Sequence, residues 1–187
     1  AQVLTAPRAG AGHKVGIVGL GIGALACYAQ PSQDWHFYEI DTTVDKIART
    51  PALFSFVTTC TPNAPTHLGD ARIVLEQQDL SFDTLVIDAY SSDSVPVHLT
   101  TLEALEVYLD RLDDDGVLVF HISNRYYDVS LPFGRAAEAL GLKAYIQDYN
   151  PGAEPDPGDT RSLVVMMARN TAAFGPLPTD PRWAPLA

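Results

Sequence analysis

The sequence has few basic residues, few cysteines and no long hydrophobic run, and each shortage argues against a class of protein. Its 12 Lys and Arg against 23 Asp and Glu leave a net charge of −11. This balance argues against a nucleic-acid partner, because phosphate binding needs clustered cations. No apolar run reaches the ~18 residues that a membrane-spanning helix needs. The first residues also lack a charged-then-apolar secretion signal, so we expect a cytoplasmic protein.

The two cysteines, Cys27 and Cys60, do not have the spacing of metal ligands. No cluster of His, Cys or carboxylate residues has such spacing either, so the sequence predicts no metal. Because Cys27 lies in an apolar stretch, we expect it to be a small core residue. Neither cysteine indicates an oxidising compartment.

The composition is that of a globular protein, and strands alternate with helices along most of the chain. With 187 residues and 47% hydrophobic content, the chain suits one domain with a full core. We expect a leader over residues 1–12, a nucleotide-binding domain over 13–169 and a Pro-rich tail over 170–187 that lies on the surface. The predicted strands are 14–20, 35–40, 67–68, 82–88, 117–122, 143–147 and 162–168, with residues 51–66 irregular.

This alternation predicts a doubly wound α/β fold with a mostly parallel sheet of seven strands. No helix separates the final two strands, so the last strand can enter antiparallel. In such sheets ligands bind at the carboxyl ends of the strands. Polar and glycine residues directly after strands one to four are therefore the candidate ligand contacts.

A glycine turn follows strand one, with Gly19, Gly21 and Gly23 in the segment GLGIGA. Glycines let the backbone turn sharply and approach a ligand closely. Because Ala24 completes the pattern G-x-G-x-x-A, a nicotinamide dinucleotide is a competing ligand. A tight strand-to-helix turn without a ligand is the structural alternative.

Acidic residues follow the next three strands. Glu39 stands 18 residues beyond Gly21, where an acid can accept hydrogen bonds from ribose hydroxyls. Asp70 follows strand three and can bind an adenine amino group or cap the next helix. Asp88 ends strand four, where it can hold a cationic amine or take its proton. His121 lies in strand five, where we expect a sheet histidine with satisfied hydrogen bonds rather than a catalyst.

These segments together resemble the spermidine synthase family. The resemblance is carried by GLGIG, YEID, GDAR, LVIDAYSSD and GVLVFHIS, over residues 14 to about 168. It is closer to the branch often fused to membrane segments. The resemblance implies a sheet of the class I methyltransferase type and transfer of an aminopropyl group from decarboxylated S-adenosylmethionine to a diamine such as putrescine.

The resemblance also implies roles for single residues. Glu39 would hold the ribose, Asp70 the adenine, and Asp88 would accept the proton of the attacking amine. Asp93 matches the family's second acid, which holds the distal amine, and His98 lies in the loop above the pocket. The expected partners are a small cationic amine, which an acidic protein attracts, and a second copy of the chain in a homodimer.

Two departures keep other functions open. The family has an acid in its glycine loop that holds the amine of the decarboxylated cofactor, whereas this chain has Ile22. The family's N-terminal β-domain also has no counterpart in these residues. The alternatives are a methyltransferase that uses S-adenosylmethionine, an oxidoreductase that uses a nicotinamide, or an inactive polyamine- or nucleotide-sensing domain of a larger membrane protein.

Overall fold

The computed structural model describes residues 2–5, 12–89, 96–123, 128–152 and 161–186. Within these ranges the chain forms one mixed sheet of eight strands in the order β3-β2-β1-β4-β5-β7-β6-β8. The strands are β1 Lys14–Val18, β2 Asp34–Glu39, β3 Thr66–Leu68, β4 Phe82–Ile87, β5 Leu112–His121, β6 Lys143–Tyr149, β7 Ser162–Ala168 and β8 Ala184–Pro185.

The predicted fold class is confirmed. Strands β1 to β5 pair in parallel, and β7 enters antiparallel between β5 and β6. A dinucleotide-binding sheet of order 3-2-1-4-5-6 has no such inserted antiparallel strand. The two-residue strand β8 adds one strand to the seven that were predicted.

Helices follow the strands and cover both faces of the sheet. They are α1 Thr42–Ala48, α2 Phe56–Cys60, α3 Ala71–Gln77, α4 Leu102–Asp110 and α5 Ser130–Ala139. The side chains of Asp41, Asp70 and Thr101 cap α1, α3 and α4 by accepting backbone N–H groups of the first turn. Two buried hydrophobic clusters pack on opposite faces of the sheet, one around Ile17 and Phe37 and the other around Leu85 and Phe120.

Some local predictions were wrong. Residues 56–60 form α2 rather than irregular chain, and the residues after the glycine turn form a short 3₁₀ helix, Ala24–Tyr28. Strand β5 begins at Leu112 rather than at the predicted residue 117, and the acidic segment that follows Leu112 is a bulge within the strand. Phe82 pairs with Leu112 while Thr84 already pairs with Val117.

Both ends of the described chain contribute to the core. Val3 and Leu4 are buried, as are Phe174 and Trp183 in the region predicted to be a surface tail. The side chain of Gln2 bonds to Asp180, Gln147 and Trp183. Burial of the large apolar side chains in the tail is favourable in free energy, so the segment packs against the domain although it is rich in proline.

Candidate functional site

The strand register aligns the residues that the sequence singled out along one edge of the sheet. Val18 pairs with Tyr38 on one side and with Ile87 on the other. The residues that follow these partners, Gly19, Glu39 and Asp88, therefore lie side by side at the carboxyl ends of adjacent strands. Glu39 in turn pairs with Leu68, which brings Gly69 and Asp70 to the same edge.

The glycine turn needs glycine at two positions for steric reasons. Gly19 has φ 93°, and a β-carbon there would overlap the backbone of Asp88. Gly23 has φ 81°, and a β-carbon there would overlap the side chain of Val57 in α2. Gly21 has φ 52° but open space around it. The turn is thus pressed between β4 and α2, which fixes its backbone.

Glu39 is bonded directly to this turn. One carboxylate oxygen, Oε2, accepts the N–H of Leu20 at 3.0 Å, and the other, Oε1, accepts the N–H of Asp41 at 3.0 Å. The residue is 8% exposed, so the carboxylate is held in place by two backbone donors. Each oxygen of a carboxylate accepts about two hydrogen bonds, which leaves capacity for hydroxyl groups of a ligand.

Asp88 and His121 lie together at the ends of β4 and β5. His121 Nδ1 is 2.7 Å from Asp88 Oδ1, and its Nε2 is 2.7 Å from Ser123 Oγ. The backbone N–H of Asp88 donates to the carbonyl of Val18 at 2.8 Å, beside the glycine turn. The Asp88 side chain is 29% exposed, so a ligand at this edge can reach it.

The two carboxylate oxygens of Asp70 make different contacts in the structure. Its Oδ1 accepts the N–H groups of Arg72 and Ile73 at the start of α3, as the alternative helix-cap prediction required. Its Oδ2 lies 3.2 Å from Nε2 of His98. His98 therefore sits over Asp70, and its role toward an amine substrate stays a prediction. Asp93, the other predicted amine ligand, lies outside the described residues.

The prediction that Cys27 is a core residue was wrong. Cys27 is exposed and forms a disulfide with Cys60, 33 residues further along the chain. The bond ties the 3₁₀ helix after the glycine turn to α2, the helix that also packs against Gly23. Disulfides are rare in the reducing cytosol, which weighs against the cytoplasmic location predicted above.

The contact of His121 with Asp88 was not foreseen in the sequence, although a signal for it exists. Both residues directly follow an apolar run, LVI before Asp88 and LVF before His121. In parallel neighbouring strands such runs align, and here Ile87 pairs with Phe120. The polar residues that follow then meet at the sheet edge.

Comparison with characterised proteins gives two kinds of relative. The chain is 30% identical to the polyamine aminopropyltransferase of Vibrio vulnificus over 124 residues, which cover 62% of this chain and 40% of that protein. It is 27% identical to an N-terminal histidine N-methyltransferase of Emericella nidulans over 188 residues, covering 93% of this chain and 32% of that protein. The chain thus spans less than half of either relative. No protein-family profile matches it.

Solved structures share the fold across almost the whole chain. The spermidine synthase of Thermotoga maritima superposes with a TM-score of 0.67 at 18% identity, covering all of this chain and 63% of that one. Human methyltransferase-like protein 13, solved with SAH, gives 0.62 at 16% identity over 91% of this chain and 75% of that one.

The fold is therefore the class I methyltransferase-like fold shared by spermidine synthases and S-adenosylmethionine-dependent methyltransferases. The particular relatives that the chain resembles in sequence are a polyamine aminopropyltransferase and a histidine N-methyltransferase. Among the described residues no helix is long and apolar enough to cross a membrane. The same residues contain no group of three or more His, Cys, Asp or Glu that could hold a metal ion.

Proposed function

We propose that this protein transfers an aminopropyl group from decarboxylated S-adenosylmethionine to a small diamine such as putrescine. The observation that carries the proposal is the row of Glu39, Gly19 and Asp88 at the ends of three adjacent strands, with Glu39 bonded to the turn. The similarity to a polyamine aminopropyltransferase supports the same reaction.

The nucleoside part of the co-substrate would lie along the glycine turn. Glu39 would accept hydrogen bonds from the ribose hydroxyls, and Asp70 would bind the adenine amino group. Asp70 would do so while capping α3, because a carboxylate has more acceptor positions than these bonds use. Ile40 and Leu68, both exposed at this edge, are apolar surfaces of the kind that cover a flat base.

Asp88 would take the proton that makes the amine a nucleophile. A primary amine has a pKa of about 10 and arrives as an ammonium ion, which has no free electron pair. Loss of one proton to the carboxylate frees that pair, which forms the new C–N bond at the carbon beside the sulfonium. The electron pair of the breaking C–S bond leaves with sulfur as a neutral thioether. The leaving group therefore needs no acid.

The net charge of −11 favours this class of acceptor, because the summed field of an acidic protein attracts polyamines. Asp93 and His98 are proposed to hold the distal amine. The chain is also proposed to form a homodimer. None of these proposals requires a metal.

A methyltransferase is the second candidate, and Ile22 is the observation in its favour. Ile22 lies in the glycine turn, is 44% exposed, and carries no charge for the amine of a decarboxylated co-substrate. The similarity to a histidine N-methyltransferase covers 93% of the chain. In that reaction the same edge would receive ordinary S-adenosylmethionine.

Mass spectrometry of reaction mixtures separates these candidates. The protein is incubated with S-adenosylmethionine or its decarboxylated form together with putrescine, cadaverine or spermidine. We expect an amine product heavier by one aminopropyl group with the decarboxylated form only. A methylated product with the ordinary form identifies the methyltransferase. Tight binding of NAD alone contradicts both, and binding of methylthioadenosine without product from either donor identifies a sensor domain.

A further inference from the structure

A chain of hydrogen bonds runs from Asp88 through strand β5 into strand β7. His121 bridges Asp88 Oδ1 and Ser123 Oγ at 2.7 Å each. Ser123 Oγ in turn accepts the backbone N–H of Leu163 at 2.8 Å. The His121 and Asp88 side chains are 33% and 29% exposed, so the pair lies at the surface of the site rather than in the core.

The chemistry of the partners fixes where the hydrogen atoms lie. A carboxylate only accepts, so Nδ1 of His121 carries the hydrogen and donates to Asp88. Nε2 of the neutral ring is then an acceptor. The hydroxyl of Ser123 accepts from Leu163 and still has its own hydrogen to donate to Nε2. Ser123 therefore favours the ring form that Asp88 needs.

We infer that His121 is a positioning residue for the transfer reaction, an inference that rests on the proposed function. It holds Oδ1 of Asp88, and among the described residues no side chain bonds to Oδ2. Oδ2 is thus the atom that receives the ammonium ion of the substrate and its proton. The anchored carboxylate cannot rotate away from the carbon under attack.

The size of the effect follows from the sensitivity of transfer reactions to geometry. A displacement of about 1 Å at a reacting group can cost about 100-fold in rate. Loss of the His121 anchor would leave Asp88 in place but free to turn about its side-chain bonds. We expect kcat to fall about 10–100-fold, with the KM for the nucleotide unchanged.

The test compares His121→Ala with His121→Asn in the whole chain. The Asn amide places an N–H group near the position of Nδ1, so it can still donate to Asp88. We expect the Ala variant to lose kcat and the Asn variant to recover most of it, with thermal unfolding and methylthioadenosine affinity close to wild type in both. Wild-type kcat in the Ala variant, or an equal loss of kcat in both variants, overturns the inference.

A second measurement detects the contact of His121 with Asp88 and does not require turnover. Nitrogen-15 NMR of the imidazole is expected to show hydrogen on Nδ1 of His121 in the wild type and a change of ring form in Asp88→Ala. Hydrogen on Nε2 in the neutral wild-type ring overturns the inference. If the wild type forms no product, the proposed function fails, and this spectrum alone then decides whether His121 holds Asp88.

Discussion

Gly19 and Asp88 touch backbone to backbone across strands β1 and β4. A β-carbon on Gly19 would overlap the carbonyl group of Asp88, and the φ of 93° is one that only glycine adopts readily. One contact thus positions both the turn that is expected to receive the nucleotide and the acid that is expected to receive the proton.

Substitution of Gly19 tests that contact. We expect Gly19→Ala to lower the free energy of unfolding by more than the ~1–3 kcal/mol of a strained φ, because the backbone of Asp88 must also move. Gly21→Ala is the matched control, since its φ of 52° carries strain but a β-carbon there meets open space. Chemical denaturation measures both, and equal losses would argue against the contact.

Asp88→Asn separates binding from chemistry. The amide keeps the size of the side chain but accepts no proton, so we expect unchanged affinity for methylthioadenosine and a transfer rate lower by about 10²–10⁴-fold. Calorimetry and product formation measure the two effects. Turnover at the wild-type rate would remove Asp88 from the reaction.

Most of the sheet could be predicted from sequence, and so could the alignment of Gly19, Glu39 and Asp88 at its edge, because the apolar runs of β1, β2 and β4 are followed by or end in these residues. The contact of Asp88 with His121 was missed, because it depends on the register of β4 on β5; the runs LVI and LVF before these residues indicate it only when they are aligned. That register is set after the bulge between Leu112 and Val117, which a strand pattern does not reveal.

The segment over residues 51–66 shows a second limit of prediction from sequence. Its prolines and weak periodicity indicated irregular chain, yet residues 56–60 form α2. The helix is fixed by tertiary contacts, namely the packing of Val57 against Gly23 and the bond of Cys60 to Cys27. Cysteine spacing alone cannot distinguish such a pair from two free thiols.

Reduction of the disulfide tests how far it stabilises this region. Closing a loop with a sequence separation of 33 residues is worth about 3–4 kcal/mol in the unfolded chain. We expect Cys27→Ser, or a reducing agent acting on the wild type, to lower the free energy of unfolding by about that amount. The reductant should leave the Cys27→Ser variant unchanged. A wild type equally stable with and without reductant would refute the prediction.

A directional chain of hydrogen bonds predicts a pH dependence of stability. Tyr38 donates to Gln78, whose amide donates to Nδ1 of His67, and the other ring nitrogen of His67 lies 3.0 Å from Nδ1 of His36. Burial, and secondarily the neighbouring His36, lower the pKa of His67 below its ordinary value of 6.5. Burial also raises the pKa of Tyr38, which keeps its hydroxyl a donor.

The sign of the effect follows from the lowered pKa of His67. His67 binds a proton more readily in the unfolded chain than in the folded one. The stability that neutral His67 contributes is therefore complete above pH ~6.5 and is lost as the pH falls below that value. We expect the wild type to lose more stability than His67→Gln between pH 7.5 and 5.5. Denaturant unfolding measures the free energy of unfolding of both proteins at each pH. An equal loss in the two proteins would contradict this assignment.

The most direct test of the proposed function is a calorimetric titration with methylthioadenosine, because that function requires the edge of the sheet at Glu39 to bind a nucleoside. We expect the wild type to bind, Glu39→Ala to bind more weakly by about 1–3 kcal/mol, and the control Glu138→Ala, at an exposed position of α5, to bind as the wild type does. No binding by a folded wild type, or equal affinity in folded Glu39→Ala, would contradict the account.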